Sequence, residues 1–232
     1  MQRHKVLIAI PVFNETDATD IIKRVKQYNT DVLVVDDGST VSIGNNLKAV
    51  GNVYSIVHSR NYGYGKTLID AFEFAIGKNY DYLITIDSDG QHEPEEISLF
   101  LSKIPFNDYD ILSGTRYLFP VKLDKEVPQE RYYVNKEVTE ILNQITGFNL
   151  TDSFCGFKAY KVDKLKVLHL TESGYGMPLQ LWIQAWKHCL KVKEIPVKLV
   201  YKDLTKRFKG LLENPEARLR YYKRVINKEL FQ

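Results

Sequence analysis

The stretch Tyr82-Leu83-Ile84-Thr85-Ile86 runs straight into Asp87-Ser88-Asp89-Gly90-Gln91-His92, and this junction limits what the chain can fold into more than any other feature. A short apolar, β-prone run bounded by a turn reads as a buried strand. This one delivers two carboxylates, one residue apart, at its tip. In an open α/β sheet, ligands bind in the crevice at the carboxyl ends of the strands. There Asp87 and Asp89 can share one hard divalent cation, with Gln91 and His92 completing or supporting its shell. The same residues allow a plainer reading, in which Asp89 only caps a helix that begins near Pro94.

The chain around it repeats the design. Lys5 to Ile10, Asp31 to Asp36, Asn52 to His58 and Asp110 to Gly114 read as further strands. Between them, helical periodicity runs through Ile21, Ile22 and Val25, through Leu68, Ile69, Phe72 and Ile76, and from Pro94 to about Ile104. Strands separated by helices of this length predict βαβ units, hence an α/β fold with a mostly parallel central sheet flanked by helices. Glu15, Asp36 with Asp37, and Asp87 with Asp89 then fall on one edge of that sheet. Converging like charges repel unless cations or hydrogen-bond donors are supplied, so the coincidence favours a metal-and-nucleotide site.

The second half is less regular. Lys122 to Glu130 is charged, contains Pro128 and reads as a mobile loop beside the site. Val134, Val138, Ile141, Leu142 and Ile145 mark one helical face. Ser153 to Tyr160 reads as a strand, Leu179 to His188 as a helix, and Val192 to Tyr201 as a strand whose Pro196 suggests an edge or a bulge. The last helix, Pro215 towards Leu230, carries Leu219, Tyr222, Ile226 and Leu230 on one side. The expected division is one domain over 1–210 and a basic amphipathic helix over 211–232, packed on the domain, on a partner or on a membrane surface.

Composition narrows the classes. A net charge of +3 over 232 residues is too small to argue for nucleic acid. No apolar run is long enough to span a bilayer and the start shows no signal-peptide pattern, so a cytoplasmic protein is expected, with peripheral contact at the membrane face left open. Cys155 and Cys189 have neither metal-ligand spacing nor a disulfide framework. Charge is uneven, with nine Lys/Arg against four Asp/Glu from Lys202 to Gln232.

The loop Asn61-Tyr62-Gly63-Tyr64-Gly65-Lys66-Thr67 fits neither common phosphate motif. Arg60 stands where a P-loop needs glycine, and Leu68 where the dinucleotide fingerprint needs its third glycine. What remains is a turn that permits close backbone approach, with Lys66 near a helix start.

Taken in order, Pro11-x-x-Asn14-Glu15, Val35-Asp36-Asp37-Gly38-Ser39, Asn61-x-Gly63-x-Gly65-Lys66, Asp87-x-Asp89-Gly90-Gln91-His92 and Ser113-Gly114-x-Arg116 resemble family 2 glycosyltransferases. The branch they look most like is that of dolichol-phosphate mannosyltransferases and polyprenyl-phosphate glycosyltransferases. The similarity is strong over about residues 5 to 120. It continues more weakly through Asp152-x-x-x-Gly156-Phe157-Lys158 and Glu194-Ile195-Pro196-Val197 to roughly residue 210.

The resemblance implies a GT-A fold that takes a UDP- or GDP-linked sugar. Pro11, Asn14, Glu15, Asp36 and Asp37 would contact base and ribose, with Lys66 and Ser88 beside the donor. Asp87, Asp89 and Gln91 would hold Mg²⁺ or Mn²⁺ and the diphosphate, and Arg116 would meet a donor or acceptor phosphate. Transfer would invert the anomeric centre. A lipid phosphate acceptor is already an anionic nucleophile, whereas a hydroxyl acceptor needs a carboxylate base. Asp152 is the candidate base; a turn aspartate is the other reading of it. Lys206 and Arg207 either close over the diphosphate or form a solvated charge run. Two departures stand out, Cys155 where the branch usually has Ser and Gln180 where it commonly has Glu. The rival readings are a haloacid-dehalogenase-type phosphatase, which also carries Asp-x-Asp-Gly, and a non-catalytic sugar-nucleotide-binding protein on the same fold.

Overall fold

Strands β1 (Val6–Val12), β2 (Asp31–Asp36), β3 (Tyr54–Val57) and β4 (Tyr82–Thr85) run parallel, linked by helices α1 (Ala18–Lys26) and α2 (Tyr64–Gly77). The structure is a computed structural model that describes residues 4–15, 17–41, 43, 53–119, 127–200 and 210–232. A 3₁₀ turn at Pro94–Glu96 leads into α3 (Ile97–Leu101), and β5 (Ile111–Thr115) follows. Then come α4 (Gln129–Thr146), β6 (Lys158–Lys161), α5 (Val162–Leu165), α6 (Met177–Lys187), β7 (Val192–Pro196) and α7 (Pro215–Leu230).

Among the described residues the seven strands form one sheet in the order β3-β2-β1-β4-β6-β5-β7. Only β6 is antiparallel to its neighbours, β4 and β5. The expected mostly parallel α/β sheet is therefore present, and the tips of β1, β2, β4 and β5 open on one edge.

Strict alternation along the strands builds two cores. On one face Leu7, Ala9, Leu33, Val35 and Leu83 pack with α2, α4, α6 and α7; on the other Ile8, Ile10, Val32, Val34 and Ile84 pack with α1 and α3. Central strands buried on both faces must be apolar throughout, which is why they read as continuous runs. Ile21, Ile22 and Val25 on α1 are at most 1% exposed, each contributing roughly 1.5–3 kcal/mol by burial.

Several boundaries differ from expectation. The strand expected over 153–160 shrinks to Lys158–Lys161, because Ser153 to Phe157 turns beneath the β4 tip. The strand expected over 192–201 stops at Pro196, which lacks the N–H to continue; β7 is an edge strand, as that proline suggested. The segment from Pro94 is a 3₁₀ turn and one short helix rather than a single long one. Gln129 and Glu130 belong to α4, not to the charged loop, whose residues 122–126 lie outside the described residues.

The terminal helix is bolted to the domain. Arg218, Tyr222, Val225, Ile226 and Glu229 of α7 are buried. Glu229 accepts Gln180 Nε2–H at 2.7 Å and Gln184 Nε2–H at 2.9 Å, while Gln180 Oε1 accepts the N–H groups of Thr171 and Glu172, both at 2.8 Å. A neutral amide at position 180 is thus what lets a carboxylate be buried opposite it. Gln180→Glu is expected to lower the melting temperature at pH 7.5 by several degrees, through two carboxylates in contact. The loss should shrink at pH 5, where one of the pair takes a proton. Thermal denaturation at the two pH values checks this.

Candidate active site

Asp87 follows β4 after one intervening residue, Ile86, and its carboxylate is approached from three sides. Tyr64 donates its hydroxyl to Oδ1 at 2.8 Å, His92 Nε2 lies 3.7 Å from Oδ2, and Gly156 forms the floor. A Cβ at Gly156 would lie 2.0 Å from Asp87 Oδ2. Burial disfavours the charge, but His92, Tyr64 and Arg116 outweigh it and keep Asp87 below the ordinary carboxylate range. Asp89 is shifted the other way, by burial and then by the charges of Asp87 and Glu15, with Gln91 N–H donating to its Oδ1 at 3.0 Å. Asp89 does not cap the Pro94 turn, whose N-cap is Glu93.

His92 is 2% exposed and supports the site from behind. Its Nε2 faces Asp87 and, at 4.0 Å, Cys155 Sγ, and Nδ1 has no hydrogen-bond partner among the described residues. Burial alone would lower its pKa; Cys155 and Asp87 push it up to about 10.

Arg116, just past β5, is fixed by Asp152. Its Nε and backbone N–H donate to Asp152 Oδ2 at 2.7 and 3.2 Å, and Nη2 donates to Oδ1 at 3.0 Å. Asn135 Nδ2 and Phe154 N–H also donate to Oδ1. Burial opposes ionisation, yet Arg116 and Asn135 bring Asp152 down to about 2. The expected catalytic base is thus a carboxylate whose lone pairs are engaged within the protein. A carboxylate with five donors, fully buried and that acidic, is a weak base towards a hydroxyl at neutral pH. Asp152 holds the Arg116 side chain in place, and Glu194 anchors Asp152 by accepting its N–H at 3.1 Å and Thr151 N–H at 2.8 Å.

The β1 and β2 ends spend their polar groups on each other. Asp36 accepts Ser39 N–H and Ile43 N–H; Asp37 accepts Tyr62 N–H at 2.8 Å and Gly63 N–H at 2.9 Å, with His58 Nδ1 at 2.7 Å. Both are at most 2% exposed, so they shape the loops more directly than they face solvent. Ser88 is likewise turned inward, its hydroxyl donating to the Pro11 carbonyl at 2.6 Å. Asn14, exposed and at φ 54°, takes Thr40 N–H on Oδ1 and donates its own N–H to Ser39 Oγ. Lys66 Nζ is bound to Asp70 on the next turn of α2. Lys206 and Arg207 lie outside the described residues.

The glycine loop does allow close backbone approach, and the partner is the protein itself. A Cβ at Gly63 would lie 2.4 Å from Ser173 O, and one at Gly65 2.3 Å from Glu172 O. Tyr64 between them escaped the sequence reading; its only signal was its place between two constrained glycines. Tyr175, half exposed and stacked on Tyr64 at 5.8 Å, served in the sequence only as a landmark before Gln180 and not as a site residue.

The donor set fits a hard divalent cation. Asp87 and Asp89 supply anionic oxygens close enough to perturb one another. Among the described residues no three His, Cys, Asp or Glu converge into a full protein cage. Mg²⁺-type sites commonly use one or two carboxylates and draw their other ligands from substrate phosphates and water.

Asp152→Asn leaves Arg116 without its counter-charge and is expected to cost about 3–5 kcal/mol. Because the Asp152 pKa is depressed, its contribution is present above about pH 4 and is lost as pH falls towards 2. Urea unfolding of both proteins should show a constant gap from pH 5 to 8 that narrows below pH 4.

Residues 7–168 match the profile of Glycosyl transferase family 2. Undecaprenyl-phosphate mannosyltransferase of Micrococcus luteus is 27% identical over 86% of this chain and 85% of its own length. UDP-N-acetylglucosamine–dolichyl-phosphate N-acetylglucosaminyltransferase of Methanococcus voltae is 28% identical over 85% and 86%. Glucosyl-3-phosphoglycerate synthase from Mycobacterium tuberculosis, solved with Mn²⁺, uridine diphosphate and glucosyl-3-phosphoglycerate, shares the fold at a TM-score of 0.73 and 15% identity, covering 97% of this chain and 80% of that one. The phosphatase and the non-catalytic readings are set aside by these relationships. The chain belongs to glycosyltransferase family 2 and is a glycosyltransferase with the GT-A fold.

Proposed function

We propose that this enzyme transfers a hexose, with inversion, from a nucleoside-diphosphate sugar to a polyprenyl-type lipid phosphate with the help of Mg²⁺ or Mn²⁺. The observation that carries this reading is the pair Asp87 and Asp89 at the β4 tip, one seated on Gly156 and the other destabilised by its neighbours' charge. The names of the relatives from Micrococcus luteus and Methanococcus voltae support the acceptor class. So does the state of Asp152: with the candidate base saturated, a nucleophile that is already anionic suits the site better than a hydroxyl.

In this reading Asp87 and Asp89 hold the cation, which when bound offsets the charge developing on the leaving diphosphate. Arg116 is held rigidly by Asp152 and meets a phosphate with the guanidinium Nη1 that Asp152 does not use. Glu15, Asn14 and Pro11 border the donor end of the crevice. A lipid acceptor also requires a route to the bilayer. No helix among the described residues is long and apolar enough to cross a membrane. The outer face of α7 instead presents exposed Arg220, Lys223, Arg224 and Lys228 with Phe231, while Glu229 is turned inward. Such a face suits peripheral contact with anionic lipid.

Calorimetry with UDP, GDP and their sugar conjugates should show tight binding of one nucleotide only when Mn²⁺ or Mg²⁺ is present. Asp89→Asn should abolish the metal-dependent part without unfolding the chain. Gly156→Ala should weaken it at least tenfold with the fold retained, since the new methyl displaces the Asp87 carboxylate. Metal-independent binding unchanged by either variant would refute the site.

Co-sedimentation with vesicles containing phosphatidylglycerol should capture the wild type at low salt. The Arg224→Glu/Lys228→Glu double variant should stay in solution. Equal capture of both would refute the membrane contact.

A further inference from the structure

The orientation of Asp87 depends on one hydroxyl that the family motifs do not specify. Tyr64 opens α2, and the glycines on either side of it press the backbone against Glu172 and Ser173 so closely that no side chain fits at either position. Lys66 N–H adds a hydrogen bond to Ser173 O at 3.0 Å. The Tyr64 ring is covered by Tyr175, with centroids 5.8 Å apart and planes 15° from parallel. The segment carrying Tyr175 is itself tied down: Tyr221 of α7 accepts Gly176 N–H at 3.0 Å and donates to Glu172 Oε1 at 2.6 Å. A rigid path therefore leads from the terminal helix through the 172–176 segment to the Tyr64 hydroxyl, which ends on Asp87 Oδ1.

We propose that Tyr64 is a positioning residue for the transfer reaction: its hydroxyl, braced by the stacked Tyr175, fixes the Asp87 carboxylate in the orientation that the donor's cation meets. This rests on the donor and cation reading given above. The oxygen opposite, Oδ2, lies over the Gly156 floor and has His92 nearby, but at 3.7 Å that nitrogen is too distant to hold the carboxylate alone. Removing the tyrosine hydroxyl frees Asp87 to rotate while leaving its charge in place. The role is chemical rather than a matter of packing, because phenylalanine keeps the ring, its stack and its volume.

The test compares wild type with Tyr64→Phe, using full-length protein and three readouts. Calorimetric titration with Mn²⁺ and the nucleotide that the wild type binds should show about a tenfold weaker Kd for the variant. Steady-state transfer should show a lower kcat with the acceptor KM unchanged. The melting temperature without ligand should move by no more than a degree or two. Equal Mn²⁺-dependent affinity and kcat in both proteins overturn the proposal, and so does a fall in melting temperature with donor and acceptor terms impaired alike, which is the mark of a packing role. Tyr62→Phe, which removes a hydroxyl bonded to Ser59 Oγ and away from Asp87, serves as the control and should match wild type. If the wild type itself binds no nucleotide with metal, the donor and cation reading fails, an outcome distinct from a difference between the two proteins.

Discussion

Buried negative charge is the constraint on which the site depends. Asp36, Asp37 and Asp152 are essentially inaccessible at the carboxyl edge of the sheet, with Asp87 and Asp89 between them. A carboxylate taken out of water is costly unless donors replace its hydration. Each solution here is different. Backbone N–H groups satisfy Asp36 and much of Asp37, a guanidinium and an amide satisfy Asp152, and a tyrosine hydroxyl serves Asp87. Among the described residues Asp89 is left with a single backbone donor and a repelling neighbour, so the arrangement concentrates its unmet demand for positive charge at one point.

Close packing of backbone makes that arrangement possible. Gly156 lets the Asp87 carboxylate lie against the chain, and Gly63 and Gly65 let α2 start on the 172–174 segment. Gly38, at φ 71°, sits where a Cβ would lie 2.4 Å from the Arg60 carbonyl carbon. These contacts join loops that are far apart in sequence into one rigid rim, and a rigid rim lowers the reorganisation needed as charge develops.

Electrostatics also explains the two departures from the family pattern. Gln180, where the resemblance led to the expectation of Glu, is a neutral amide lying 2.7 Å from Glu229 of the terminal helix, and a second carboxylate there would be repelled. The same exchange ties α7 to the domain and leaves that helix's exposed face cationic. Cys155 is buried beside His92 and packs against Gly114, where a Cβ would meet its sulfur at 3.1 Å. It belongs to the support beneath the carboxylates, not to the surface that meets substrate.

Much of this was legible in the residues alone. Continuous apolar runs alternating with amphipathic segments determined the parallel sheet, and acidic strand ends determined which edge carries the carboxylates, because periodicity and strand termination are local properties. Lys158 to Lys161 was harder to delimit, since the turn before it exists only to pass beneath Asp87. The roles of Asp152, Ser88 and Asp37 were not legible either. A carboxylate or hydroxyl looks the same in sequence whether it faces substrate or a guanidinium 36 residues away. Sequence by itself determined the fold class and the location of the carboxylate cluster; tertiary structure decided which carboxylates are already satisfied and which remain open. The reason is that hydrogen-bond partners such as Tyr64 with Asp87, and steric floors such as Gly156, come from segments that meet only once the chain has folded.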